Sequence, residues 1–325
     1  YMSSFIHLHN HSDFSLLQAS QSVQAIVDHV SDLSMNAVAI TEHGNLFSMI
    51  DFYKYAKKKH IKPIIGCEIN IIDDLSIHLK STNSHQLVLL AKNNQGYLNL
   101  MKIVSLGYLY MQGDIPIIDK NILQKYSSGL IALSAGIKGE ITYYASIGDY
   151  KTAKDKALSF HKIFNDNFYL EIQNHNLPEE LESHKILLDL SKELSIPLVA
   201  TNDTYYISKD DATACDVIRC IGSGHNINDP NRNSVESSEY YMKSSDEMHA
   251  LFKDFPEALS NTVKIAEECD VNIPMGELFL PNFPIPEEAK AKNADEYLKE
   301  LCNNLINQKY SSINSDIMNR LDYEL

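Results

Sequence analysis

Between residues 5 and 207, short apolar runs alternate with longer amphipathic stretches. The apolar runs cover 5–8, 37–41, 62–69, 86–91, 130–133, 168–172 and 197–201. Each is bounded by turn or polar residues, the pattern of buried strands. Between them, 22–34 places Val23, Ile26, Val27, Val30 and Leu33 on one helical stripe. Helical patterns also cover 47–59, 150–165 and 177–194, the last opening on Pro178-Glu179-Glu180, which suits a helix N-terminus. Strand–helix alternation of this length predicts a parallel sheet covered by helices, either doubly wound or closed into a barrel.

One connection departs from the pattern. Residues 70–84 contain Asp73-Asp74 and Ser81-Thr82-Asn83-Ser84 but no helical period. Without a crossover helix the simplest connection is antiparallel, which would put His85 on the same rim as Glu68. A distorted barrel is therefore expected. Beyond residue 207, helices are predicted over 210–221, from a capped start at Ser245-Asp246-Glu247-Met248, and over 257–269, with a loop-rich stretch at 222–242. Pro281, Pro284 and Pro286 mark a linker, followed by helical patterns over 294–308 and 315–325 without a C-cap. The expected organisation is one domain over 2–280 and the truncated start of another over 281–325.

Composition narrows the function classes. No apolar run approaches the roughly 20 residues of a membrane span, and the N-terminus carries no signal-peptide core. The five cysteines form no CxxC pair, which reads as reduced thiols in a cytoplasmic protein. Net charge is −15, and the only dense basic stretch is Lys57-Lys58-Lys59-His60. Such a chain is not expected to grip duplex DNA by phosphate contacts alone.

Candidate chemistry collects at the C-terminal ends of the predicted strands: His9 and His11, Glu42 and His43, Glu68, His175, and Asp203. In parallel α/β folds those ends share one face, where ligands bind. The run His7-Leu8-His9-Asn10-His11 puts alternate imidazoles on one side of a strand. Imidazoles and carboxylates together suit zinc, iron or manganese. His9, His11, Glu68 and Asp203 would complete a four-ligand shell, with His43 and His85 beside neighbouring ions. His7 would either join them or fill the interior; His29, His60, His161 and His249 read as ordinary surface residues. No GxGxxG, GxxxxGK[ST] or GxSxG motif is present.

These residues carry a resemblance. The segments 5–12 with Ser15-Leu16-Leu17, Ala39-Ile40-Thr41-Glu42-His43-Gly44-Asn45, Lys62-Pro63-Ile64-Ile65-Gly66-Cys67-Glu68, Leu89-Leu90-Ala91-Lys92-Asn93, Glu171-Ile172-Gln173-Asn174-His175 and Ala200-Thr201-Asn202-Asp203 resemble the N-terminal PHP (polymerase and histidinol phosphatase) domain of bacterial DNA polymerase III alpha subunits. The end of the chain, Arg320-Leu321-Asp322-Tyr323-Glu324-Leu325, resembles the lead-in to a palm domain. The resemblance implies a distorted (β/α)7 TIM-like barrel with nine ligand positions. The chain keeps His9, His11, His43, Glu68, His85 and Asp203. It departs at Gln18, Gly136 and Tyr205, where the family carries Asp, Cys or His, and His, and more mildly at Glu42.

The implied cofactors are divalent ions (Zn, Mn or Fe) at fewer than three positions, with Mg in a palm domain that this chain lacks. The implied partners, through a full-length polymerase, are primer-template DNA, dNTPs, a proofreading exonuclease subunit and the sliding clamp. Implied activities are DNA-directed DNA polymerisation by the whole protein, and 3′–5′ exonuclease or phosphoesterase chemistry, weakened here, at the PHP site. The rival expectation is a free-standing phosphatase of the histidinol-phosphatase kind.

Overall fold

In a computed structural model, residues 5–325 are described except 77–83, 112, 114, 231, 233–236 and 279. Most of the helix-free connection expected over 70–84, from 77 to 83, and the domain start at 2–4 lie outside the described residues. Among the described residues there are seven strands: β1 Ala37–Ile40, β2 Lys62–Ile72, β3 His85–Ala91, β4 Ile117–Asp119, β5 Leu130–Leu133, β6 Phe168–Ile172 and β7 Leu198–Ala200. They join as one mixed sheet in the order β1-β2-β3-β5-β6-β7, with β4 paired to the distal half of β2. β3 runs antiparallel to β2 and to β5, while the other pairs are parallel. The predicted antiparallel pairing of β2 with β3 is present.

The segment 5–11 carries no long ladder, yet it closes the sheet. On one side Ala39 N–H donates to His7 O and Thr41 N–H to Asn10 O; on the other His11 N–H donates to Thr204 O. It thus bridges β1 to the residues just after β7, and the curled sheet becomes a distorted barrel. The partner advances by two residues where this segment advances by three, so one extra residue is accommodated between His7 and Asn10, as in a bulge.

Helices α1 Val23–Asp32, α2 Met49–Lys58, α3 Asn94–Leu109, α4 Lys120–Tyr126, α5 Glu140–Ser146, α6 Tyr150–Phe164 and α7 Pro178–Leu194 follow among the strands. Alternation along each strand sorts the core into two layers. Val38, Ile40, Leu87, Leu89, Ala132 and Leu170 face the helices, where Ile26, Phe52, Leu100, Phe160 and Leu187 pack against them. Ile6, Leu8, Ala39, Ile64, Val88, Leu90, Leu133, Tyr169 and Val199 fill the interior. Beyond β7 come α8 Ala212–Ser223, α9 Ser245–Leu251 and α10 Pro256–Glu268. Ile265, Ala266 and Cys269 join the interior cluster, and Ala266 O accepts from Lys62 Nζ at the start of β2. α10 therefore plugs the end of the barrel where the parallel strands begin. Catalytic or binding chemistry is left to the other end.

Four of these elements were not legible from period alone: α3, whose apolar positions spread around much of its surface, the seven-residue α4 and α5, and the three-residue β4. The α9 cap is Ser244, one residue earlier than the predicted start, and it forms a capping box with Glu247. The chain divides into two compact units, 1–273 and 274–325, so the break precedes the proline linker. The second unit holds α11 Ala294–Lys309 and α12 Ser315–Glu324, neither of which buries a residue.

Candidate metal centre

The bulge decides which histidines meet. His9 and His11 turn toward the open end of the barrel. His7 turns the other way: it packs edge-on against Phe5, and its Nε2 lies 2.8 Å from Lys243 O. Simple alternation would have aligned all three. His43 follows β1 and pairs with Glu68 as an isolated bridge. Glu68 stands on the interior face of β2, and Asp203 lies three residues past the end of β7.

These side chains converge. His9 Nε2 is 2.9 Å from Glu68 Oε2 and 3.6 Å from Asp203 Oδ1. His11 Nε2 is 3.0 Å from Asp203 Oδ1 and 3.8 Å from Glu68 Oε2. His43 Nδ1 touches Glu68 Oε1, and its ring stacks on His11 at 4.0 Å. Two overlapping sets of donors result, His9–His11–Asp203 and His11–His43–Glu68, each with its ligand atoms within 4.8 Å of one another. Three atoms, His11 Nε2, Glu68 Oε1 and Asp203 Oδ1, are buried without an aligned hydrogen bond. Buried carboxylate oxygens and imidazole nitrogens crowded together without aligned hydrogen bonds are costly unless a cation joins them. The donor set fits a divalent ion.

Electrostatics follow from burial and from these pairs. Burial pushes His11 down to about 4, helped by His43. Burial opposes charge on Glu68 too, but His43 and then His9 hold its carboxyl below the usual range. Asp203 is likewise held low against burial by His9 and His11. His9 behaves oppositely: burial is outweighed by Asp203 and Glu171, which raise it well above an ordinary imidazole.

Other predicted positions lie elsewhere. His85 stands at the same end of β2 as Glu68, but it faces the helices and not the site, so its expected place beside a neighbouring ion is corrected. Val88 pairs with Glu68, and His85 sits three residues before it opposite Ile71. It has the parity of Leu87 and Leu89, which face the helices, and packs against Tyr143 and Tyr144. Gln86, its neighbour, faces the cleft. His175 is buried beside the site but pairs with Glu180 at 2.6 Å and stacks on Tyr240. Glu42 is fully buried and accepts from the hydroxyls of Ser12, Ser15 and Ser48 and the amide of Ser12.

The three substituted positions each have a physical counterpart. Gln18 is exposed, and only its carbonyl faces inward, accepting from Arg219 Nε at 3.0 Å. Tyr205 stacks on His11 at 4.7 Å, donates its hydroxyl to Asp203 Oδ2 at 2.9 Å and lies 3.3 Å from His43 Nε2. A Cβ on Gly136 would fall 1.8 Å from Gln173 Oε1. The Gln173 amide thus fills the space a larger residue at 136 would use.

A cleft of about 420 Å³ opens onto His9 and Asp203, with Lys138, Arg219 and Arg232 among its lining residues. Arg219 sits over the Tyr205 ring, and Arg232 pairs with Asp216 at 2.7 Å. Three cations around one opening in a chain of charge −15 make a local anion-attracting mouth. Sequence reading passed over Arg219, Arg232, Gln173 and Glu171. Glu171 and Gln173 left a signal there, as part of the matching segment 171–175, and Glu171 also as a carboxylate inside the apolar run 168–172.

Residues 7–175 match the PHP domain family. The chain is 43% identical over its full length to DNA polymerase III subunit alpha of Borreliella burgdorferi, of which it spans 29%. It is 38% identical over 99% of its length to the same subunit of Treponema pallidum, spanning 28% of that protein. Among solved structures, an amidohydrolase from Chromobacterium violaceum aligns at 10% identity and a TM-score of 0.42, covering 62% of this chain and 87% of that one. The chain thus belongs to the PHP domain family, in the form found in DNA polymerase III alpha subunits.

Proposed function

We propose that this chain serves a replicative DNA polymerase as its PHP domain, binds a single divalent cation (Zn, Mn or Fe), and acts there chiefly as a structural domain with its phosphoesterase chemistry suppressed. The carrying observation is the occupation of the companion positions. The Tyr205 hydroxyl is bonded to Asp203 and set against His43, and the Gln173 amide fills the space beside Gly136. His9, His11, Glu68 and Asp203 remain to hold one ion.

Bound there, a divalent cation would polarise a phosphoryl oxygen and lower the pKa of a coordinated water. Two ions about 3.5–4 Å apart are what clamp both attacking and leaving oxygens in an in-line displacement, and the side chains for a second are compromised. The chain's own residues would still draw in an anion through Lys138, Arg219 and Arg232, and its buried carboxylates would still bind the cation. The polymerase setting is supported by the full-length match to alpha subunits, which also argues against a free-standing phosphatase. DNA, dNTPs, a proofreading exonuclease and the clamp belong to that proposed setting through the longer protein.

The test combines metal analysis with nucleotide release. After dialysis against Zn²⁺ or Mn²⁺, one ion per chain is expected, lost in His11→Ala. Release from a 3′-labelled primer should be the same for both proteins. Three ions per chain, or release that depends on His11, would overturn the proposal.

A further inference from the structure

We propose that Glu171 is the positioning residue of the cation site: it holds the Nδ1 proton of His9 and thereby presents the Nε2 lone pair to the ion. The assignment rests on the metal reading above and adds to it a residue that is not itself a ligand. An imidazole can coordinate through either nitrogen, and the hydrogen bond made by the other nitrogen selects which. His9 Nε2 faces Glu68 and Asp203, while Nδ1 lies 2.8 Å from Glu171 Oε1.

That oxygen is itself held in place. It accepts from Gln173 Nε2 at 2.9 Å and from the Thr201 hydroxyl, and the Glu171 amide donates to Ser134 Oγ at 2.8 Å. The carboxylate is completely buried, so water does not compete for His9. With donors from β6 and the end of β7 fixing one oxygen, the ring of His9 has one favourable orientation. Gln173, which fills the space beside Gly136, also lies 3.3 Å from His9 Nδ1. With Nδ1 protonated that contact is not a hydrogen bond; Gln173 donates instead to the Glu171 oxygen that His9 meets, so the side chain at the third position braces the first through Glu171.

The experiment uses the whole chain, with Zn²⁺ titrated against a competing chelator, Co²⁺ absorption as a report of coordination, and long-range imidazole ¹⁵N NMR of the Zn²⁺-loaded protein. His9 is assigned by comparison with His9→Asn. Glu171→Leu should weaken Zn²⁺ binding by about 10–100-fold and shift the Co²⁺ spectrum. Glu171→Gln should stay within about threefold of wild type, because its amide oxygen still meets the Thr201 and Gln173 donors. In loaded wild type, His9 should carry its proton on Nδ1. Unchanged affinity in Glu171→Leu, equal loss in both variants, or His9 coordinated through Nδ1 would each overturn the assignment. If Glu171→Leu does not fold, the wild-type NMR decides alone. A wild type that takes up no Zn²⁺ overturns the metal reading itself, an outcome distinct from the others.

Discussion

Glu42 and Glu68 are both fully buried carboxylates near strand ends, but their neighbours separate their roles. Glu68 is surrounded by imidazoles. Glu42 is surrounded by three serine hydroxyls and an amide, which consume its acceptor sites and tie the loop after the first segment to α2. Glu42→Leu would leave those hydroxyls unpaired in the interior. It should destabilise the domain by about 3 kcal/mol, since hydrogen bonds to a charged group are worth roughly 1.5–3 kcal/mol each and unpaired buried groups cost more. Chemical denaturation measures this, and a change under 1 kcal/mol would show that Glu42 is not structural. Both glutamates were legible as ionisable residues at strand ends. Glu68 was already expected beside His9 and His11; the serine cage around Glu42 was not, because it depends on where Ser12, Ser15 and Ser48 fall in the fold.

At the scale of elements, backbone approach matters as much as side-chain packing. A Cβ on Gly96, in the first turn of α3, would fall 1.8 Å from Gly129 O. Gly129 itself has φ of +74°, a conformation most residues avoid. Gly96→Ala must push α3 off the loop before β5, and overpacking of this kind costs about 1–3 kcal/mol or more. A lowered unfolding midpoint is expected, and an unchanged one would contradict the close approach. The same scale explains the His85 correction. Period two predicts a strand over 86–91 equally well whichever of His85 or Gln86 faces inward. Pairing of Glu68 with Val88 settles it.

For the whole molecule, closure joins distant parts of the chain. The strap 239–243 pairs with the residues after β7: Tyr205 N–H donates to Tyr240 O, Met242 N–H to Tyr206 O, and Asn202 Nδ2 to Tyr241 O. Its anchor is the buried Lys243, whose Nζ donates to Asn202 Oδ1 and Glu239 O. Burial brings this amine down to about 8, against the attraction of Glu239 and then Glu247. Between pH 8 and the ordinary lysine value of 10.5 the unfolded chain binds more protons than the folded one. Stability therefore rises with pH across that window, and the cost of about 3 kcal/mol is fully present below it. Relative to Lys243→Met, the wild-type unfolding free energy should climb from pH 8 to pH 10. A constant difference would refute the buried ammonium.

Cation binding belongs to the same scale, because its ligands come from both sides of the closure: His9 and His11 from the first segment, Asp203 from beyond β7. Binding at 100 times Kd should add about 2.7 kcal/mol. Adding a chelator should lower Tm while leaving a cooperative transition, since the apolar layers do not depend on the ion. A chelated protein that melts without cooperativity would contradict this.

The amino-acid sequence by itself determined the alternation of elements, the antiparallel pairing of β2 with β3, the end of the barrel that carries chemistry, and the family. These follow from local periodicity, turn residues and motifs, which need no knowledge of distant partners. Only the tertiary structure decided that a bulge separates His7 from His9 and His11, that Gln86 rather than His85 faces the cleft, and that Glu171 stands behind His9. It also set Tyr205 and Gln173 in the spaces beside the site. Those outcomes rest on strand register and on which side chains meet across the barrel interior, quantities fixed by closure of the whole sheet and not by neighbours along the chain.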